Sequence, residues 1–364
     1  MIVSVRAIGM LTPVGLDAQA TAAAVRAGLD RLRELDVYDR ASEPVVTARL
    51  DDGEFTPLHH AVAALGTSSD HEVRLMRLAG PALQDAVAPF AYRGAWPVFV
   101  AAPEARVGVA DPVPPDFLRR LSIQSSVPID LAESRVIREG RAGGLHAIGA
   151  AVEALARGCV PVAVAGGVDT YNDLHLLRAL IDGGRVQTST PGDRMFPGEG
   201  AAFLVLTRGD STGGLHTAGG TPLPSLGEIG GIGLGFEPGH MYSAEIYRGD
   251  GLSQAFAALF ASLDGEGATG TWGAVRTVYT SWNGESFWAK EWGVAYVRHR
   301  ERFADRLRIE HPADRFGDAG AAAGPLLVGL AVMALGRGYR KGPCLVFCSS
   351  DRGARGAAIV RGRP

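Results

Sequence analysis

The chain has 364 residues, with 36 Lys and Arg against 39 Asp and Glu and a formal charge of −3. That balance gives no basic field and so excludes nucleic acid as the expected partner, while the length suffices to bury one large core or two of medium size. The 49 glycines suit an α/β protein of tight turns, and three cysteines without a CxxC spacing exclude a disulfide framework and a zinc site. Taken in chain order, residues 2–8 read as a strand, 9–15 as a Gly/Pro turn and 18–27 as a helix. Residues 28–60 show no clear period and read as irregular. Leu75, Leu78 and Leu83 mark a helix over 71–87, followed by a strand at 97–101. A short strand at 135–137 runs into a helix over 142–157, where Leu145, Ile148, Val152 and Leu155 share a face. A strand at 160–165, a helix near 174–181 and a strand at 201–206 follow.

The Gly/Thr/Pro-rich stretch 209–224 interrupts this pattern. It divides the chain into a first half, 1–210, a linker, 211–224, and a second half, 225–364. The second half repeats the grammar. Strands are expected near 225–234 and helices over 252–263, 286–303 and 322–336. Further strands are expected at 275–281, 344–348 and 357–361. Each half carries a Gly/Ala-rich helix, which suggests an internal duplication. No basic segment followed by a long apolar run opens the chain. The longest apolar stretch, 325–335, is too short to cross a membrane. The expected location is the cytoplasm.

Four segments carry a family resemblance. They are GMLTPVG at 9–15, GLHAIG at 144–149, AGG at 165–167 with PGEGA at 197–201, and GDAGAAAG at 317–324 before an apolar helix. Together these resemble the β-ketoacyl-acyl-carrier-protein synthases of the thiolase superfamily over nearly the whole chain. The resemblance implies an α/β thiolase fold: two duplicated βαβαβαββ halves in five layers, α-β-α-β-α. It also implies a dimer, paired through the strand at 135–137. Arg138 and Glu139 beside that strand favour a distinct partner chain over a second copy.

The resemblance further implies where catalytic residues belong. The nucleophilic cysteine of such enzymes falls on Arg141. The first histidine falls on Asn283, in Asn283-Gly284-Glu285, and the second on Asp318. The family's lysine falls on or near Ala313, and its gating loop is reduced to 351–356. Of the cysteines, Cys159 lies at a remote turn, and Cys344 and Cys348 lie on an apolar strand where thiols are inert packing. A buried guanidinium needs a counter-charge, so Arg141 and Asp318 are expected to pair and plug the former active site, with Asp351 or Arg352 joining. Two alternatives stand beside this: Arg141 reaching water, and an anion clamp built from Arg141, Arg352 and Arg355 with Asp318 and Asp351 nearby.

Other motifs carry less. HEVRL at 71–75 fails as HExxH, and GESFW at 284–288 fails as GxSxG. The run 227–239 is glycine-rich without a nucleotide-loop spacing and reads as a turn-rich strand pair. His59-His60 has no partner at metal-ligand spacing. His146 reads as a packed structural histidine. The arginine-rich segment 298–308 reads as a solvated helix face or a protein-docking surface.

No cofactor or metal is expected. The function implied is that of a catalytically inactive ketosynthase-like protein working through protein–protein interaction. Its models are the thiolase-like accessory proteins of type VI secretion effector clusters, or the inactive subunit of a heterodimer such as a chain-length factor. The enzyme alternative is an acyltransferase, hydrolase or acyl-binding protein using Ser286, Glu285 or Asp318 in a remodelled pocket.

Overall fold

The computed structural model describes residues 1–66, 69–106, 108–209, 211–264 and 272–363. The first part of the chain runs β1 (Val3–Leu11), α1 (Ala18–Ala27), β2 (Leu32–Tyr38), β3 (Pro44–Ala48), α2 (His60–Ala63), α3 (Asp70–Val87) and β4 (Val98–Ala101). It continues with α4 (Phe117–Ser125), β5 (Arg135–Ile137), α5 (Gly143–Arg157), β6 (Val162–Thr170), α6 (Leu174–Asp182) and β7 (Glu199–Arg208). The second part runs β8 (Gly227–Phe236), α7 (Asp250–Asp264), β9 (Val275–Thr280), α8 (Ser286–Arg298) and β10 (Phe303–Glu310). It ends with α9 (Ala313–Phe316), α10 (Ala323–Gly336), β11 (Cys344–Ser349) and β12 (Ala354–Gly362). The expected mixed α/β architecture with alternating strands and helices is what the chain adopts.

The strands form a ten-stranded sheet in the order β10-β9-β11-β12-β8-β1-β7-β6-β4-β5. Read outward from its middle, each side repeats one pattern: β1-β7-β6-β4-β5 and β8-β12-β11-β9-β10. The pairing senses also match, parallel between β4 and both β5 and β6, and between β9 and both β10 and β11. Among the described residues the two sides are joined where Val3, Ser4 and Val5 face Ile229, Glu228 and Gly227. Beyond that short ladder β1 and β8 part.

Helices α5 and α10 contact strands of both sides, whereas α3 packs on β1, β6 and β7, and α7 on β8 and β12. α10 is apolar all round and almost wholly buried, as a helix between two sheet faces must be. α5 and α10 meet at their first turns through glycine. A Cβ on Gly144 would lie 2.2 Å from Pro325 Cδ, and one on Gly324 would lie 2.7 Å from the Leu145 nitrogen. Glycine also governs β8, where a Cβ on Gly233 or Gly235 would fall about 2 Å from carbonyl oxygens of α7. α7 therefore rests directly on the strand's backbone.

Three sequence expectations are corrected. Residues 28–60 are not irregular: β2 and β3 form a separate two-stranded sheet. The helix expected over 286–303 stops at Arg298, and residues 303–310 form the edge strand β10, so the arginine-rich segment is not one helix face. Segment 227–236 is one strand rather than a strand pair. α4, packed on α3, had no sequence expectation.

Candidate functional site

α5 and α10 begin with the same device. A residue pair after a strand or short turn leads into a glycine at positive φ, Gly140 (53°) or Gly320 (50°), then a 3-10 turn, then the helix. The 3-10 turns are Gly140–Ala142 and Gly320–Ala322. Both helix N-termini converge on one buried place, and that place is charged.

Arg141 sits in the first turn and is 2% exposed. Its Nη1 donates to Asp318 Oδ2 at 2.8 Å, its Nη2 to Asp351 Oδ1 and its Nε to the Ser349 carbonyl at 3.0 Å. The guanidinium lies 4.5 Å from the centroid of the Trp288 ring. A cation at a helix start opposes the macrodipole; here two buried carboxylates outweigh that small term. Burial alone would depress the Arg141 pKa, but Asp351 and Asp318 hold it well above its ordinary value.

Asp318 also accepts from Asn283 Nδ2 at 2.9 Å and from the Gly320 N–H at 2.9 Å. Asp351 receives Arg185 through Nη1 at 2.5 Å and Nη2 at 3.1 Å, Arg106 at 3.4 Å and the Tyr242 hydroxyl at 3.3 Å. Burial pushes its pKa up, yet Arg141 and Arg185 hold it well below the carboxylate range. Arg185 grips Glu285 with two bonds of 2.7 and 2.8 Å. The cations Arg141, Arg185 and Arg106 thus face the carboxylates Asp318, Asp351 and Glu285. Equal and opposite charge with geometric pairing is the condition under which such a group survives burial.

Two more carboxyls border the network. Burial and Asp351 raise the pKa of Glu104, which lies 4.0 Å from Arg106. Asp169 accepts from the Ala321 N–H at 2.8 Å, and burial pushes it up to about 7. The interior space beside Gly140, between Glu104, Asp169 and Tyr171, amounts to about 20 Å³. A cleft of about 270 Å³ lies outside Asn283, bordered by Trp282, Ser286 and His311.

The structure brings together Arg141, Asn283, Asp318 and Asp351 among the residues singled out from sequence. It does not bring in Arg352, whose side chain is exposed and makes no hydrogen bond or ion pair among the described residues. Arg355 is buried but belongs to a second cluster. Its Nε donates to Glu291 at 2.5 Å, and its Nη1 donates to the carbonyls of Ser350, Arg352 and Ala354. Trp288 lies against both clusters, 5.8 Å from Arg355. Ser286 donates to Asp193 at 2.6 Å on the surface. His146 is largely buried, with Nε2 3.2 Å from the Arg355 carbonyl, and burial lowers its pKa. Ala313 opens α9.

Arg106 and Arg185 were not singled out from the sequence. Each is one arginine in an irregular segment, and no spacing signals that it will meet a carboxylate far along the chain. Cys159 is exposed, while Cys344 and Cys348 are buried. Among the described residues no group of His, Cys, Asp and Glu could hold a metal ion, and no helix is long and apolar enough to cross a membrane.

No family model matches the chain, and no curated protein matches it. Solved structures do. The chain is similar over 100% of its length to the ketosynthase from module 6 of the bacillaene synthase of Bacillus subtilis 168, with 12% identity, a TM-score of 0.77 and 72% of that chain covered. The ishigamide ketosynthase/chain length factor matches at 16% identity and a TM-score of 0.73, with 100% and 99% of the two chains covered. A β-ketoacyl synthase from Burkholderia phymatum STM815 matches at 16% identity and a TM-score of 0.71, with the same coverage. At such identities the likeness concerns the fold alone: this chain has the mixed α/β fold of the ketosynthase and thiolase type.

Proposed function

We propose that this protein is a catalytically inactive relative of the ketosynthases that works by binding other proteins. In this reading residues 1–210 and 225–364 are duplicated halves joined by 211–224 and stacked in five layers. Its role is that of an accessory or adaptor for a secreted effector, of the kind found in type VI secretion clusters. The observation that carries the reading is the state of Arg141. By resemblance it stands at the nucleophile position, and all three of its nitrogens are engaged by Asp318, Asp351 and Ser349.

Three further observations support it. Burial pushes the Cys344 and Cys348 thiols up to about 12, so neither supplies a thiolate at neutral pH. The space of about 20 Å³ beside Gly140 has room for a water and not for an acyl chain. The anion-clamp alternative loses its donor, because Arg141 is already neutralised by two carboxylates and Arg352 and Arg355 lie elsewhere.

A second reading makes the chain a non-catalytic partner of a ketosynthase, and the fold likeness to the ishigamide ketosynthase/chain length factor over the full chain is compatible with it. In either case the partner is a protein, and a dimer through β5 is part of the proposal.

The test is a condensation assay with acyl- and malonyl-carrier protein, run on the native protein and on Arg141→Cys. Neither is expected to form product above the protein-free control. Product formed by the native protein overturns the reading. Co-purification from the native host, followed by mass spectrometry, then separates the two versions: a ketosynthase paralogue supports the heterodimer, and a secreted effector supports the adaptor.

A further inference from the structure

A cleft of about 390 Å³ opens between the starts of α3 and α6 and the residues that follow β3 and β6. Its size is that of a small-molecule site. Its lining includes none of the residues of the Arg141 network and carries both signs of charge.

Some of those charges are already engaged. Arg74 donates to Glu199 at 2.6 and 2.7 Å and lies 3.4 Å from Asp52. Asp173 caps α6 by accepting the Leu176 N–H at 2.9 Å. Others are not. Arg49 makes no side-chain hydrogen bond among the described residues and stands 3.9 Å from Asp52. Arg77 donates to the Thr56 and Asp52 carbonyls, each at 3.0 Å, and meets no carboxylate among the described residues. Exposed Asp70 has neither a side-chain hydrogen bond nor an ion pair among them.

His71 completes the set. It is 6% exposed, and its Nε2 is buried without a partner among the described residues. The ring hydrogen-bonds the Thr170 backbone, and burial lowers its pKa. A neutral imidazole that donates through Nδ1 to a carbonyl keeps a lone pair on Nε2. A buried acceptor left unpaired costs free energy and calls for a reason. His71 also borders the interior space beside Gly140, but about 20 Å³ admits no more than a water.

We propose that the cleft binds a zwitterionic small molecule of the α-amino-acid class, with its ammonium at Asp70 and His71 Nε2 and its carboxylate at Arg49 and Arg77. The starts of α3 and α6 add positive potential that favours the carboxylate. A bare anion would meet the Asp70 carboxylate and the Nε2 lone pair. A bare amine would meet two arginines. A ligand of both signs satisfies both sets of groups. This site stands apart from the protein-binding reading above.

The experiment titrates the full chain by calorimetry with each proteinogenic amino acid and with inorganic phosphate. Any amino acid that binds is then compared with its matched amine and its matched carboxylic acid. The expected result is that at least one amino acid binds and that its two counterparts bind about tenfold more weakly or worse. Asp70→Asn and Arg49→Gln should each weaken it by about tenfold as well, the scale of one charged hydrogen bond. Unchanged thermal unfolding of the two variants without ligand checks their fold. In the native protein the nitrogen NMR signal of His71 Nε2 should shift on binding, a readout that needs no variant. No amino acid binding at millimolar concentration, phosphate binding as tightly, binding indifferent to both substitutions, or a His71 signal that stays in place overturns the site. Condensation activity would remove the inactive-ketosynthase reading and leave this site untouched.

Discussion

The turns that open α5 and α10 share a backbone and differ in what they carry. Gly140-Arg141-Ala142-Gly143-Gly144 and Gly320-Ala321-Ala322-Ala323-Gly324 occupy matching places in the two sides of the sheet. In the second, Ala321 offers a methyl group and its carbonyl packs against Gly144 and Gly167. In the first, Arg141 brings a full charge into the same dry interior. One backbone motif therefore serves two ends. Where the side chain is small, the turn only lets two helices cross closely. Where it is an arginine, the turn organises carboxylates from the far end of the chain.

Removing the charge breaks the contrast most severely. Arg141→Ala leaves Asp318 and Asp351 buried with fewer counter-charges, and the expected loss is about 3 kcal/mol in denaturant unfolding at neutral pH. A loss near zero would mean that Asn283, Arg185 and Arg106 suffice without it. The shared part of the motif comes next. Gly144→Ala places a methyl group 2.2 Å from Pro325 Cδ, and the expected cost is about 1–3 kcal/mol from forced separation of α5 and α10. Unchanged stability would show that the crossing has slack.

The third effect is one of pH. The folded pKa of Asp169 is raised to about 7, chiefly by burial, against about 3.9 unfolded. Between those values the folded state holds the extra proton, so this group's contribution to stability falls as pH rises from about 4 to about 7 and levels off above. Thermal unfolding of Asp169→Asn should lack that component, and the difference between native and variant should shift across this window. A constant difference would place the Asp169 proton elsewhere. The smallest effect is at Arg352, three residues before buried Arg355. Arg352→Ala should change stability by less than about 0.5 kcal/mol, since the side chain is exposed. A large loss would reveal a role in the network that its position does not suggest.

Elements with a local signature were legible from residues alone. The bounds of α1, 18–27, follow from Asp17, whose side chain accepts the Ala20 N–H, and Gly28, which takes φ 73°. β2 was not legible, because Leu-Arg-Glu-Leu-Asp-Val-Tyr belongs to a small surface hairpin with little apolar alternation. β10 is hidden in the sequence because an edge strand exposed along much of its length carries charges that a solvated helix face also tolerates. In the site, the motif at 317–324 and the one at 144–149 marked Asp318 and Arg141. Nothing local marked Arg185 or Arg106, and Arg355 entered beside Arg141 through the segment 351–356 that resembles the gating loop.

The sequence by itself determined the α/β class and the order of most elements, because strand and helix periods, caps and glycine positions act over a few residues, while the two helix-opening turns were marked by the family resemblance. The tertiary structure alone decided which charges meet. Arg141 and Asp351 lie 210 positions apart, and their pairing depends on two helices crossing at Gly144 and Gly324 within a sheet whose halves, among the described residues, pair at Val3–Val5. Coulomb attraction in a dry interior is strong and does not depend on sequence distance, so its partners are set by packing and cannot be read from neighbours in the chain.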